Sequence, residues 1–569
     1  MGPRNFAVLL SASLAIVGAF IFRKYMVGSV TSAQLVIKNA VIYTSDPSLP
    51  WAESMAIRSG RILALGNFSS LHAQGFIGRQ TRFLDLQGKF VVPGFIDSHV
   101  HLISGGLQMA QVDLRAVKSK SEFIRKVEQV VHGMDKDHWV LGGGWNNEYW
   151  GGELPQASWF DNITRDNPVW LSRMDGHMGL ANSMALAKVG ISNSTDDPVG
   201  GSIIKSMDGA PTGLLVDAAM QLLLPHIPDP TIQERRNAMI RASKIGLSRG
   251  VTAVVDFGRY FPGSSTNRVW QDFYEVYRWA DESSRMLLRV CLFFPLETWS
   301  LVADTFKNAR RTLSQWIHIG GVKAFADGSL GSNSALFYEP YVDDGSNHGL
   351  HVANPDWLSD TVIKADKIGI QVAIHAIGDK ANDIVLSIFE DLIFKNGVKD
   401  RRFRIEHAQH LAAGAVDRFG ANDLIASVQP QHLLDDAASA VKKLGERRAV
   451  QESYLFNSLL SRNARLAFGS DWPVAELDPI GGIKAATRRI PTDWHTPWIP
   501  SERITVDAAL NGYTISAAFA AFMENEIGSL SIGKWADFVV LSRNLWNVTD
   551  VEDFPFVLAT YIGGVHAYP

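Results

Sequence analysis

Eight near-continuous apolar runs, at 90–97, 251–257, 287–294, 320–326, 370–375, 402–406, 424–429 and 464–470, constrain the fold more than any other feature of the chain. A segment that is apolar on both faces suits a strand buried on both faces, as in parallel sheets covered by helices. From the second run onward the intervening segments carry helical patterns, such as Val269 to Glu282 and Lys380 to Lys395. Strands alternating with helices imply a parallel sheet. Eight of them favour an α/β fold of TIM type, a (β/α)8 barrel, over an open doubly wound sheet.

The 569 residues exceed the ~250 that such a barrel needs. Short β-segments with glycine turns occupy both ends: Leu35 to Tyr43, Ser54 to Leu65 and Arg82 to Leu86 before the runs, Ala536 to Leu541 and Phe556 to Tyr568 after them. These predict a composite β-sandwich domain built from 33–89 and 527–569 around a barrel at 90–526. Roughly 150 residues separate the first two runs, far beyond an ordinary strand-to-helix connection. An inserted subdomain after the first barrel strand is therefore expected at about 105–235.

The segment 1–32 differs in kind. Phe6 to Phe22 is uncharged and apolar, with Arg4 before it and Arg23-Lys24 after it. Its length sits at the lower bound of the ~17–25 residues of a membrane span. It predicts an N-terminal signal-anchor or transmembrane segment, and hence the secretory pathway, the endoplasmic reticulum lumen or a membrane-anchored state. The expected partners are a small-molecule substrate, the membrane where that segment stays uncleaved, and a second copy in a homodimer. Net charge is −4, and no run of five or more like charges occurs, so no nucleic acid is expected. The one cysteine, Cys291, lies inside an apolar run. Thiolate metal sites are thereby excluded, and any metal must take nitrogen and oxygen ligands.

Barrel enzymes carry their sites at the C-terminal ends of the strands, so the placement of potential ligands decides the reading. The first run continues into His99-Val100-His101, and residues i and i+2 of an extended segment point the same way. The fourth run holds Lys323 and the fifth ends at His375. His407 follows the sixth, and Asp471 follows the eighth. Each piece alone is ordinary, since a chain with 16 histidines acquires an H-x-H pattern readily. Together they gather four imidazoles, a lysine and a carboxylate at one end of one barrel. An unpaired buried ammonium is strongly disfavoured, so Lys323 requires a partner.

Charge indicates the chemistry. Imidazoles are neutral ligands, so one or two divalent metals held by them need anionic partners. Asp471 is one. A desolvated lysine has a lowered pKa, and its neutral amine can add carbon dioxide to give an anionic carbamate able to bridge metals ~3.5–4 Å apart. Zinc suits the nitrogen and oxygen donors, as do manganese and iron. A divalent cation makes its bound water acidic enough to act as a nucleophile near pH ~7, and Asp471 can carry the proton to the leaving group.

From Pro93 to His101 the chain resembles the amidohydrolase superfamily, and the resemblance extends from residue 33 to the end. It is closest to amidohydrolase family 3, which includes N-substituted formamide deformylase-like proteins. The match is carried by Gly143-Gly144-Trp145, Asp175-Gly176-His177, Pro211-Thr212-Gly213, Val322 to Gly331, Phe468 to Pro473 and Gly528 to Asp537. The resemblance implies a metal-dependent barrel with a composite β-sandwich, hydrolysing a carbon–nitrogen bond other than a peptide bond. Metal ligation falls on His99, His101, Lys323, His375, His407 and Asp471. His177 is placed near the substrate carbonyl, and Trp145 and Trp472 are read as substrate-wall aromatics. Asp217 departs from the pattern, since relatives often carry glutamate there. Two alternatives stay open. The same site can act on cyclic imides, lactones or phosphoesters, or the chain can be a non-catalytic regulatory protein that retains the fold.

Overall fold

The computed structural model describes residues 32–308, 311–548 and 553–569. At its centre stand eight parallel strands: β1 (Phe95–Val100), β2 (Val251–Asp256), β3 (Arg289–Pro295), β4 (Ile317–Phe325), β5 (Gln371–Ala376), β6 (Arg404–His407), β7 (Ile425–Val428) and β8 (Arg465–Phe468). They pair in chain order. Every residue of β1 to β7 is buried, which explains why the runs are apolar throughout rather than alternating. The barrel closes beyond β8, where the Asp471 amide donates to the His99 carbonyl at 2.7 Å and the His101 amide donates to the Trp472 carbonyl at 2.8 Å. Helices pack outside, among them Ile232–Ser248, Pro355–Lys367 and Asp379–Asn396.

The apolar run at 90–97 turns out to be two strands. Phe90–Pro93 pairs antiparallel with Phe538–Leu541, and only after Gly94 does β1 enter the barrel. Gly94 is confined by the neighbouring strand, since a Cβ there would stand 2.2 Å from Thr252 Oγ1. Unbroken apolarity hid the junction, because both strands are fully buried in different layers.

Strands from both ends of the chain meet in one six-stranded sheet, in the order Val565–Tyr568, Val557–Ile562, Phe538–Leu541, Phe90–Pro93, Val41–Tyr43 and Trp51–Ala52. A four-stranded sheet of N-terminal strands accompanies it, and Ile37, Met55, Phe538 and Val540 share one buried cluster. Between β1 and β2 the insertion builds its own six-stranded sheet, from Val112–Asp113 to Pro211–Asp217, with a separate core around Phe123, Trp145, Leu171 and Leu180.

The expected membrane placement is corrected. Among the described residues no helix is long and apolar enough to cross a membrane. The run Phe6 to Phe22, on which the signal-anchor, transmembrane and secretory-pathway expectation rested, lies outside the described residues.

Candidate metal centre

Three strand ends converge at the barrel mouth. His99 lies in β1 and His407 closes β6, while Asp471 follows β8 in the segment that seals the barrel. The approach of β8 to β1 is so close that a Cβ on Gly469 would stand 2.5 Å from the His99 amide nitrogen. His407 and Asp471 both adopt left-handed backbone, with φ of 74° and 57°. That conformation is uncommon for residues with a Cβ and persists where the surroundings enforce it, often at functional sites. Ligand-type atoms of His99, His407 and Asp471 all lie within 4.8 Å of one another, and all three residues are buried.

Hydrogen bonds set the tautomers. His99 Nδ1–H donates to Glu406 Oε2 at 2.7 Å, His101 Nδ1–H donates to the Gly258 carbonyl at 2.7 Å, and His375 Nε2–H donates to the Gly328 carbonyl at 2.9 Å. A neutral ring held in this way keeps a bare lone pair on its other nitrogen. For His99 and His101 that bare Nε2 faces Asp471 Oδ1, at 3.3 and 3.4 Å. Asp471 Oδ1 is buried and accepts no hydrogen bond among the described residues, and His407 Nδ1 is buried and equally unpartnered. Lone pairs facing one another without a proton repel, and a divalent cation among them removes the conflict. The donor set thus fits a metal with nitrogen and oxygen ligands.

Electrostatics point the same way. Burial, helped by the charge of Lys323, pushes the His99 imidazole down to about 4. Burial also holds His375 and His407 well below the usual histidine range, so the rings are neutral. Burial works against ionisation of Asp471, and positive charge at the His99 and His101 nitrogens lowers its pKa; with the rings neutral, a cation between them would supply that charge. Burial lowers the Lys323 ammonium to about 8, against the pull of Glu406 and Asp471. Its Nζ has no hydrogen-bond partner among the described residues and lies 4.3 Å from the Phe257 ring centre and 4.9 Å from that of Phe325. An amine so placed is costly unless something is added to it or beside it.

Of the six ligands expected, the tight group holds three. His101 stands against Asp471, and His375 packs on His407 with ring centres 4.5 Å apart. His177 lines the same cavity, 4.8 Å from the His375 ring centre. Its Nδ1–H donates to Asp217 Oδ1 at 2.6 Å. Burial opposes the imidazolium, but Asp217, Asp175 and Asp327 outweigh burial and raise the His177 pKa.

The two tryptophans do not wall this cavity. Trp145 is fully buried in the core of the insertion, where its Nε1–H donates to the Leu171 carbonyl at 2.8 Å. Trp472 turns outward and packs over Gly105, where a Cβ would come within 2.2 Å of its ring. It lines a different pocket, with Met109, Arg249 and Tyr568.

Several partners were not anticipated. Glu406 accepts from His99 and from Arg404 Nε at 2.7 Å, and Arg404 also donates to the Ser98 carbonyl at 2.7 Å. Asp97 Oδ1 accepts from the amides of His99 and Ser470, bracing the β1–β8 seam. His432, Asp435 and Asp436, from the helix His432–Glu452, complete the cavity wall. The signal for the first pair lay in Arg404-Ile405-Glu406-His407, where strand alternation sets two opposite charges on one buried face.

Comparison with known proteins adds an independent line. The model of the amidohydrolase family matches residues 82–568. Protein LONG AFTER FAR-RED 3 of Arabidopsis thaliana is 58% identical over 537 residues, 94% of this chain and 92% of that protein. N-substituted formamide deformylase of Arthrobacter pascens is 28% identical over 552 residues, 94% of this chain and 98% of that protein. Among solved structures, an uncharacterised metal-dependent hydrolase from Pyrococcus horikoshii OT3 superposes with a TM-score of 0.71 at 27% identity, covering 91% of this chain and 99% of that one.

Proposed function

This chain belongs to the amidohydrolase family, and from that premise we propose that it hydrolyses a carbon–nitrogen bond, other than a peptide bond, in a small amide, N-acyl or formamide compound. Membership carries hydrolysis itself, and the bond is our reading. The observation that carries it is the pair of bare imidazole nitrogens, on His99 and His101, facing the undonated Asp471 Oδ1 at 3.3 and 3.4 Å. That triplet needs a cation.

His99, His101, His407 and Asp471 would hold one divalent metal, zinc by donor type, with His375 and Lys323 available to a second. When bound, the metal supplies a polarised, acidified water as nucleophile. The chain does the rest. Lys323 Nζ, with its pKa brought down to about 8 by burial, has a neutral fraction that can attack carbon dioxide and release its proton to solvent water, and the carbamate so formed would add the negative charge that the imidazoles lack. Asp471 accepts the proton of the nucleophile and returns it to the leaving nitrogen. His177, whose pKa Asp217 helps to raise against burial, would in its protonated form donate to the substrate carbonyl oxygen and so favour the charge that develops there. A substrate name borne by one relative, N-substituted formamide deformylase, supports the choice of bond. The name of the 58% identical relative states no reaction, so turnover must be measured.

Elemental analysis of the purified protein and of His99→Ala and Lys323→Ala, with a panel of N-formyl and N-acyl compounds, provides the test. Metal in the wild type, loss of metal in His99→Ala and turnover of the panel are expected. Incubation with ¹³C-bicarbonate should give a carbamate carbon signal that Lys323→Ala lacks. A metal-loaded protein that cleaves lactones or phosphoesters far better than amides would sink the choice of bond. Full metal content in His99→Ala would remove that ligand from the site.

A further inference from the structure

The cavity at the metal centre is small, about 50 Å³, which is room for a reacting group and little more. The remainder of a substrate has to lie elsewhere. A second cavity of about 240 Å³ adjoins it, and Arg173, Met174 and Val474 line both. Phe261 stands at the junction. Its ring stacks on that of His101 with centres 4.0 Å apart, it packs against Gly176, where a Cβ would stand 3.0 Å from it, and it lines the second cavity.

The wall of this second cavity is mainly apolar. Leu107, Met174, Leu224 and Ile227 border it and are only half-buried, and the buried Trp170 and Met220 border it too. Such side chains gain when hydrocarbon replaces water beside them. No carboxylate among the described residues lines the cavity, and its guanidinium groups are already paired. Arg173 donates to Asp175 at 2.7 Å, Arg259 donates to Asp272 at 2.7 Å, and Arg268 pairs with Asp229 at 2.8 Å. A neutral occupant therefore meets no unbalanced charge, and the two unbranched, polarisable methionine side chains can adapt to its shape.

We propose that this second cavity holds a neutral hydrocarbon group carried by the scissile amide, so that the substrate is an amphiphilic amide with its polar end at the metal centre and its apolar end beyond Phe261. The inference rests on the hydrolase reading for the scissile bond but not for the apolar subsite. Taking a methylene as about the size of a water molecule, roughly 30 Å³, the cavity accommodates about eight carbons. Longer chains have to leave it, and shorter ones leave part of its wall wet. A charged end group has no partner there, since the arginines keep their carboxylates.

The test uses the metal-loaded full chain. Turnover of N-alkylformamides and of alkanamides, each from one to twelve carbons, reads the subsite as a dependence on chain length. In at least one series kcat/KM should rise about twofold to fourfold per methylene and level off near eight carbons. Calorimetric titration with 1-octanol and 1-butanol reads it without any reaction. Octanol should bind about 10–100-fold more tightly, with a negative heat-capacity change. Leu224 and Ile227 line this cavity and not the metal cavity. Leu224→Asp should flatten the length dependence, and Leu224→Trp, which fills the space, should move its end to shorter chains. Ratios are taken within each variant, so a general loss of activity cancels, and metal content and Tm report folding. Octanol bound no better than butanol, or a preference unmoved in both variants, overturns the subsite. Loss of the hydrolase reading looks different: no amide is cleaved, while octanol is still preferred and Leu224→Asp still weakens it.

Discussion

Glu406 accepts the Nδ1 proton of His99 at 2.7 Å, and both side chains are almost wholly buried. Burial opposes the Glu406 charge, but Arg404 and His99 outweigh it and hold the carboxyl down to about 2. The carboxylate thereby fixes which imidazole nitrogen is bare and aims it at Asp471. Partners of this kind orient a metal ligand and raise its basicity.

Replacing that carboxylate tests the orientation directly. Glu406→Gln keeps an acceptor for Nδ1–H but removes the charge, and metal affinity should fall ~10–100-fold by the usual weight of such partners. Chelator competition reads the affinity. Glu406→Ala strands Arg404 in the barrel interior and should cost ~3–5 kcal/mol of stability as well, seen as a lower Tm. A Gln variant with unchanged metal affinity would show that His99 needs no carboxylate behind it.

Asp217 provides a second prediction. It sits in left-handed backbone at φ 46°, with Oδ1 at 2.6 Å from His177 Nδ1. Asp217→Asn keeps the bulk and loses the charge that sustains the imidazolium. The donor to the substrate oxygen weakens while the metal residues are untouched. kcat should drop ~10²–10³-fold, the weight of one well-placed donor to a developing oxyanion, with metal content unchanged. Steady-state kinetics beside elemental analysis separates the two effects, and a fall in KM or metal alone would assign Asp217 another role.

The barrel was legible because strands buried on both faces cannot hide their apolarity, and the candidate ligands stood out as polar side chains at the ends of those runs. His99, His407 and Asp471 were readable for that reason. What stayed hidden depends on contacts between distant segments. Nothing local to Phe90–Pro93 reveals that Phe538–Leu541 will claim it, and nothing beside Trp145 reveals that its ring fills the insertion core. Asp435 and Asp436 lie in an ordinary helix start, and only the fold carries them to the metal cavity.

Cys291 yields a prediction that needs no ligand. It is buried in β3 against Gly320, where an added Cβ would stand 2.8 Å from Sγ. Burial pushes the thiol up to about 12, outweighing the pull of Arg404 and Arg311. Only thiolate reacts with alkylating agents and aromatic disulfides, and three pKa units lower its share ~10³-fold. The native protein at pH 8 should resist modification and denatured chain should react stoichiometrically. Rapid native labelling would place the sulfur at an accessible surface.

His318, at the start of β4 and away from the metal cavity, predicts how stability changes with acid. It is buried, its Nδ1 lies 3.1 Å from Thr312 Oγ1, and its Nε2 has no partner among the described residues. Burial, with a smaller push from Arg311, lowers the imidazole to about 4 in the folded chain, against 6.5 when it is free. Above pH 6.5 neither state is protonated there and the contribution is fully present. Between 6.5 and 4 the unfolded chain takes up a proton that the folded chain refuses, so stability is lost as pH falls, by at most ~3 kcal/mol for this one group. Metal-site histidines depress stability in the same window, so the informative quantity is a difference. Tm of the wild type and of His318→Leu, both without metal, should converge from pH 7 to pH 4, because the variant has no proton to gain. Parallel curves would mean that His318 is protonated at no cost in the native state.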